Sequence, residues 1–153
     1  FTSGRPVFAR APESRMTLAN FMRAHLDSAM ATLSIGLEIL KEEGVSIDRM
    51  YGHGGLFRTK GVGQRLMAAA IGAPVSVMET AGEGGAWGVA LLAKFRAEKE
   101  KGETLEAFLE NKIFAGKTGI AVAPNEEDEK GFKKFIEQYK RALKIESAAV
   151  ETL

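Results

Sequence analysis

The residues best suited to chemistry in this chain are glycines that follow a predicted strand. Gly52, His53, Gly54 and Gly55 come directly after the strand predicted for residues 45–51 and shortly before a predicted helix. Glycines at such a junction remove side chains, allow positive φ and let a phosphate or a planar ligand lie against the backbone. A tight turn that binds no ligand uses the same residue types, so the spacing alone leaves both interpretations open.

A second glycine cluster, formed by Gly84, Gly85 and Gly88, falls inside a predicted helix. Each glycine in a helix interior costs about 1 kcal/mol relative to alanine, so three cost roughly 3 kcal/mol. Together with Ala81 these glycines form a small-residue surface that another backbone can approach closely. We therefore interpret the second cluster as a helix-crossing surface in preference to a place of direct ligand contact.

Two common phosphate-binding motifs are excluded by their spacing. Residues 115–118 resemble the end of a P-loop, but Asn111 stands where the first glycine of that motif belongs, and the stretch follows a helix instead of a strand. The pairs Gly61-x-Gly63 and Gly82-x-Gly84 have Leu66 and Trp87 at the position of the third glycine of a dinucleotide-binding loop.

No catalytic acid, base or nucleophile stands out in the sequence. The charged residues 96–101 and 126–130 are expected to form a solvated face and a helix start. His25 lies at the edge of an apolar helix stripe and is expected to be a packed or boundary residue, because no second ligand lies one turn away on the same face. The chain is therefore not expected to be a catalyst by itself.

The composition is that of an ordinary soluble globular domain, with 45% hydrophobic and 27% charged residues in a chain of 153. Lys and Arg number 21 against 20 Asp and Glu, so the net charge of +1 gives no electrostatic footprint for nucleic acid or an acidic membrane. The chain has no cysteine, which excludes disulfides and thiolate metal sites and favours a reducing, cytoplasmic location.

No segment reads as a membrane or export signal, because no apolar run approaches the roughly 20 residues of a transmembrane helix. The chain begins with Phe1 instead of Met, so we expect it to be a piece of a longer protein. The sequence leaves the oligomeric state open and allows a homodimer.

The elements that must position the glycines are helices alternating with short strands, which is typical of an α/β domain. Helices are predicted for residues 16–43, 62–71, 80–98, a shorter segment from 104, and 124–146, with short strands at 6–9, 45–51, 75–78 and 117–123. These strands are too few for a sheet of the usual size, so further strands are expected before residue 1.

Several local signals support the helices. Gly44 and Gly72 stand at predicted helix ends, and Thr80 with Glu83 has the spacing of a capping box. The first helix carries one apolar stripe, made of Leu18, Met22, Leu26, Ala29, Leu33, Leu37 and Leu40.

The last helix has an acidic start after Pro124 and Asn125 and is expected to fray after Glu146. Its apolar face consists of Phe132, Phe135, Ile136, Tyr139 and Leu143.

Three stretches taken in order resemble the C-terminal domain of the FGGY family of carbohydrate kinases, which includes xylulokinases, ribulokinases and glycerol kinases. They are residues 51–55 (YGHGG), 63–75 (GQRLMAAAIGAPV) and 79–93 (ETAGEGGAWGVALLA). The helix around residues 21–24 and the aromatic helix at 132–143 fit as flanks, so the likeness extends from about residue 16 onward. The family usually has three consecutive glycines after the strand, which His53 interrupts here.

The resemblance implies an actin-like, ribonuclease-H-like fold in which two lobes enclose ATP, Mg²⁺ and a sugar such as xylulose or ribulose. Residues 1–153 would form a single partial domain, the C-terminal nucleotide-binding lobe, incomplete at its N-terminal side. Gly52, His53, Gly54 and Gly55 match the loop that holds the adenosine. The second cluster, Gly84, Gly85 and Gly88, matches the helix at the hinge between the lobes.

The family's catalytic aspartate, principal phosphate loop and most sugar contacts are expected upstream of Phe1, in the N-terminal lobe. No catalytic residue and no metal ligand is assigned to this chain, which alone is expected to be inactive. One alternative is a non-catalytic nucleotide-binding or sensor module of the actin-like superfamily. Another is an interaction domain whose glycines serve only packing, which predicts that Gly54 and Gly55 tolerate alanine with no effect on nucleotide affinity.

Overall fold

The computed structural model describes residues 4–79, 81–116 and 119–152. Within those ranges the helices are α1 Leu18–Glu42, α2 Val62–Ile71, α3 Gly84–Glu98, α4 Leu105–Phe108 and α5 Glu126–Thr152, and the strands are β1 Met50–Gly52, β2 Val75–Val77 and β3 Ile120–Val122. Short 3₁₀ turns cover Gly55–Phe57 and Ala81–Glu83, and one π-helical segment, Leu109–Ile113, continues α4.

The three strands form one sheet in the order β1-β2-β3. β1 and β2 are parallel, with Tyr51 opposite Ser76, and β3 runs antiparallel to β2, with Ala121 opposite Ser76. The parallel pair is connected through α2, as parallel strands require a crossover. Helices combined with this small mixed sheet give the α/β class that the sequence predicts.

The strand predictions were correct to different degrees. β2 and β3 lie within the predicted residues 75–78 and 117–123, although residues 117 and 118 lie outside the described ranges. The strand predicted for 45–51 is shorter and later, because only its last residues reach the edge of β2. Residues 6–9 are irregular and form no strand.

The chain folds into two compact units. The helical unit comprises the described residues of 4–46, 66–72 and 124–152, and the sheet unit comprises those of 47–65 and 73–123. The sheet, α3 and α4 all belong to the sheet unit. The expectation that residues 1–153 form a single partial domain stays a prediction.

In the helical unit α1 lies within the predicted residues 16–43 and begins two residues later than predicted. The hydroxyl of Thr17 caps α1 by accepting a hydrogen bond from the Asn20 amide at 3.1 Å, and Gly44 ends the helix region with a φ of 72°. The His25 ring meets the edge of Phe21 with their centroids 4.6 Å apart and is exposed, which fits the boundary role expected for it.

The predicted apolar stripe of α1 is only partly buried. Leu18 is 77% exposed and Met22 53% exposed, whereas the buried residues of the helix are Asp27, Met30 and Ala31. Burial is confined to the middle of this long helix. Its N-terminal apolar residues therefore lie open to solvent in the described structure.

α5 carries its predicted apolar face, with Phe132 buried and the other four residues of that face half-buried. Asn125 caps the helix by accepting a hydrogen bond from the Asp128 amide at 3.0 Å. Fraying after Glu146 was wrong, because the helix continues to Thr152. The Glu146 carboxylate accepts a hydrogen bond from the Arg5 amide at 2.6 Å, which ties this part of the helix to the N-terminal segment.

The sheet unit is fastened by one buried side chain of α2. Nε2 of Gln64 donates hydrogen bonds to the carbonyl oxygens of Val75 at 3.1 Å and Ile120 at 2.7 Å. Gln64 is only 5% exposed, so both bonds form largely away from water. This amide therefore joins β2 to β3 beyond their own ladder.

A small apolar core packs against one side of α3. Leu91 of α3, Phe108 of α4 and Ile113 are buried together, with Phe95 and Phe114 packed against them. The rings of Phe95 and Phe108 meet edge to face at 5.4 Å between centroids. The segment predicted from residue 104 thus folds as a helix, and Thr104 caps it by accepting a hydrogen bond from the Ala107 amide.

The start of α3 differs from the predicted capping box. Thr80 lies outside the described residues, and the helix begins at Gly84 after a 3₁₀ turn. The Glu83 carboxylate makes no capping bond, because it pairs with the Arg58 guanidinium at 2.7 Å. Because α3 begins at Gly84, Gly84 and Gly85 lie in its first turn. The cost of about 1 kcal/mol for a glycine in a helix interior therefore applies mainly to Gly88.

Candidate functional site

A cavity of about 410 Å³ lies in the sheet unit where the parallel strands end. β1 ends at Gly52 and β2 ends just before Met78, and both residues line the cavity. Ligands of open α/β sheets bind beyond the carboxyl ends of the strands. The described residues that line the cavity are Tyr51, Gly52, His53, Met78, Ala81, Gly84, Trp87 and Phe114.

The loop after β1 is held in place by its own backbone. Gly54 has a φ of 100°, a conformation that L side chains rarely adopt. Its amide donates a hydrogen bond to the Ala81 carbonyl at 2.6 Å, and its carbonyl accepts one from the Phe57 amide at 3.1 Å. Gly54 therefore joins the loop after β1 to the turn that precedes α3, while Gly55 is exposed and opens the 3₁₀ turn.

Gly52 is required by close packing. It is buried, and a Cβ placed on it would lie 2.3 Å from Cζ of Phe57 and within 2.8 Å of the neighbouring ring carbons. Real Cβ atoms do not approach other heavy atoms so closely. The ring of Phe57 thus occupies the space that any side chain at residue 52 would need.

The two predicted glycine clusters meet at His53 and Gly84. A Cβ on Gly84 would lie 2.8 Å from Nδ1 of His53 and 2.9 Å from its Cβ and Cγ, so the imidazole rests directly on the start of α3. Gly52, His53 and Gly84 all line the cavity. The structure thus brings together residues that the sequence assigned to two separate roles.

The other predicted glycines do not line this cavity. Gly54 and Gly55 lie in the loop beside it, and a Cβ on Gly85 or Gly88 would meet nothing within 4 Å. In the part of the chain that the structure describes, the outer side of α3 therefore remains unpacked. Val89 is 69% exposed and Leu92 is 54% exposed on the same helix.

Sequence reasoning did not assign the remaining lining residues to a site. Tyr51, Ala81 and Trp87 belong to the motifs quoted above. Met78 directly follows a parallel strand, and that position is typical of ligand sites in open α/β sheets. Phe114 gave no local signal. It reaches the cavity from the end of the π-helical segment, because Ile113 and Phe108 pack into the core beside it.

The described part of the cavity lining suits a flat, largely apolar group. Tyr51, His53, Trp87 and Phe114 contribute rings, and the described lining residues include no Lys, Arg, Asp or Glu. Aromatic walls with a few polar atoms are typical of sites for small planar ligands. Across the described ranges no group of three or more His, Cys, Asp or Glu residues could hold a metal ion.

Shifted ionisable groups lie elsewhere. Burial raises the pKa of Asp27 in α1, against the opposing effect of its hydrogen bond to Arg23. A hydrogen bond from the Glu100 amide, with help from Lys112, lowers the pKa of Glu103. Hydrogen bonds to Glu103 and Glu100 raise the pKa of Lys112. Asp27, Glu103 and Lys112 do not line the cavity.

Residues 2–97 match the model of the FGGY family of carbohydrate kinases, C-terminal domain. The match covers more than half of the 153 residues and includes both glycine clusters, so the chain belongs to this family. Carbohydrate kinases of the family generally use ATP. The matched range ends within α3, so Phe114 and α5 lie beyond it.

The comparisons with curated proteins and with solved structures found no match. Among the helices that the structure describes, none combines the length and apolar character needed to cross a membrane.

Proposed function

We propose that the cavity at the end of β1 holds the adenine of ATP. The observation that carries this proposal is that Gly52, His53 and Gly84, taken from both glycine motifs of the family match, line one aromatic cavity at the carboxyl end of the parallel strands. A flat base fits between ring-bearing side chains, and the glycine loop lets the nucleotide approach the backbone.

The reaction we propose for the two-lobed enzyme is transfer of the γ-phosphoryl group of ATP to a hydroxyl of a ketopentose such as xylulose or ribulose. Catalysis of this transfer depends mainly on positioning and on charge stabilisation. The described residues around the cavity supply neither a base nor sugar contacts, so these functions fall to the N-terminal lobe. Closure of the lobes would exclude water and align the two reactants.

We propose that Mg²⁺ is bound through the phosphates of ATP. Mg²⁺ commonly keeps several waters and is held by one or two carboxylates together with substrate phosphates. The described residues do not fit a Mg²⁺ site of their own, since they include no cluster of potential ligands.

We also propose a cytoplasmic location, which the absence of cysteine supports.

The outer face of α3 is our proposed contact with the other lobe. Gly85, Gly88, Val89 and Leu92 have the i, i+3, i+4, i+7 spacing of one helix face, and the two apolar side chains are exposed. Small residues let a second helix approach closely there. Gly84 already contacts His53 within the sheet unit, and its assignment to the hinge stays a prediction.

A titration with Mg·ATP, followed through the fluorescence of Trp87, tests the binding proposal. Trp87 is the single tryptophan and lines the cavity. We expect saturable binding that weakens about tenfold in Gly54→Ala, because alanine in this conformation costs about 1–3 kcal/mol and shifts the loop. Gly102→Ala is the matched control, since Gly102 also has a positive φ but lies outside the cavity lining.

Absence of saturable binding, or equal weakening by Gly102→Ala, would contradict the proposal.

The sugar is tested separately by ADP release from the two-lobed enzyme with xylulose, ribulose and glycerol. We expect the highest kcat/KM with a ketopentose, and a clear preference for glycerol would overturn that choice. The 153-residue chain alone should release no ADP in response to any of these substrates.

A further inference from the structure

The side chain of His53 packs against the start of α3. Its Cβ, Cγ and Nδ1 all lie within 2.9 Å of where a Cβ of Gly84 would be. That contact covers one edge of the imidazole with the backbone of α3. Nε2, at the opposite end of the ring, is the nitrogen that this contact leaves open to a ligand.

Few other side chains of the described lining are polar. Met78, Ala81 and Phe114 contribute apolar surface, and Tyr51 and Trp87 are the other described lining residues whose side chains carry a hydroxyl or an N–H group. A neutral imidazole carries one donor and one acceptor nitrogen, whereas an indole offers a donor alone. His53 can therefore stack its ring on a flat ligand or form a hydrogen bond with its edge.

We propose that His53 contacts the base of the bound nucleotide and favours adenine, and that Gly84 is glycine because the imidazole needs the space of its side chain. This inference rests on the proposed function. It gives a role to His53, the one residue that interrupts the glycines of the loop. Because the ring at residue 53 occupies the space beside residue 84, we call these two residues the matched pair.

The proposal predicts two separate effects on nucleotide affinity. Removing the imidazole in His53→Gly should weaken ATP binding about tenfold, since a stacked base loses roughly 1–3 kcal/mol when its aromatic partner is removed. The same variant should reduce the preference for ATP over GTP. Gly84→Ala should also weaken ATP binding, because its Cβ displaces the ring of His53.

The matched pair is tested by the double variant. In His53→Gly the space beside residue 84 is empty, so adding Gly84→Ala should cause no further loss of affinity. Gly131→Ala is the control, because its Cβ also meets nothing within 4 Å, it shares the gain in helix propensity and it lies in α5, outside the cavity lining. Gly131→Ala should bind ATP like the parent chain.

The experiment is a titration of each purified variant with Mg·ATP and Mg·GTP through Trp87 fluorescence, with circular dichroism to verify folding. His53 is exposed, so His53→Ala serves as a second variant that preserves the fold. If the parent chain binds ATP and both His53 variants keep its affinity and its ATP preference, the inference is wrong while the proposed function stands. If the parent chain does not bind ATP, the proposed function fails and the inference fails with it.

A further outcome addresses the pairing alone. Equal losses from Gly84→Ala in the presence and absence of His53 would show that the two residues act independently, which would overturn the matched pair.

Discussion

The contact between Gln64 and the two strands gives the most sharply defined prediction for stability. In Gln64→Leu a side chain of similar size replaces the amide, and both of its hydrogen bonds disappear. The Val75 carbonyl is then left without this donor in a buried setting, whereas Ile120 is exposed and water can reach it more easily. The two carbonyls should therefore contribute unequally to the loss.

The magnitude follows from the two bonds. Leaving a buried acceptor unsatisfied costs about 1–3 kcal/mol, and a hydrogen bond that water can replace contributes about 1 kcal/mol. We therefore expect Gln64→Leu to lower the free energy of unfolding by about 2–4 kcal/mol. Gln138→Leu is the matched control because Gln138 is exposed on α5, and it should change stability by no more than about 0.5 kcal/mol.

Gln64→Glu sharpens the test through pH. A carboxylate at this largely buried site would face two carbonyl oxygens, so burial would raise its folded-state pKa above the unfolded value of about 4.3. Its protonated form, which can donate one hydrogen bond, is then favoured in the folded state. The variant should be most stable below the unfolded pKa and should lose stability as pH rises through the folded pKa.

The assay is urea unfolding followed through Trp87, which lies in the same unit as Gln64. The reasoning would be refuted if Gln64→Leu unfolded at the same urea concentration as Gln138→Leu. It would also be refuted if the stability of Gln64→Glu did not change between acid and neutral pH.

Three further predictions concern single side chains. Gly52→Ala should lower stability by about 1–3 kcal/mol in thermal unfolding, because its Cβ meets the ring of Phe57, and Phe57→Leu should restore much of the loss. Burial raises the pKa of Asp27 above 3.8, so the parent chain loses stability as pH rises through the folded pKa. Asp27→Asn lacks this group, so its stability relative to the parent chain should be higher at pH 7 than at pH 3. A difference in urea midpoints that is the same at both pH values would contradict this. Gly131→Ala, at an exposed position of α5 where a Cβ meets nothing, should add about 1 kcal/mol in the same assay without changing ATP affinity.

The helices were predictable because their signals are local. The glycines at residues 44 and 72 and the acidic start after Asn125 each act within one turn of the helix end that they mark. α2 was predicted with its observed bounds for this reason. The start of α3 was not, since Arg58 binds the carboxylate of Glu83 from another part of the chain.

The candidate site was only partly predictable. The loop glycines could be identified because strand-to-helix junctions have a recognisable composition, but the contact between His53 and Gly84 depends on how the loop packs on α3. Phe114 depends on the packing of α4 and the segment after it. Both contacts join residues that are distant in the sequence, and no local pattern encodes them.

The central claim is that ATP binds in the cavity at the end of β1. The most direct test is a ¹H–¹⁵N correlation spectrum of the labelled chain, recorded with increasing Mg·ATP. We expect the largest shifts for the amides of Gly52, Gly54 and Gly84 and for the indole N–H of Trp87, with the amides of α5 almost unchanged. Shifts concentrated in α5, or no shifts at saturating ATP, would contradict the claim.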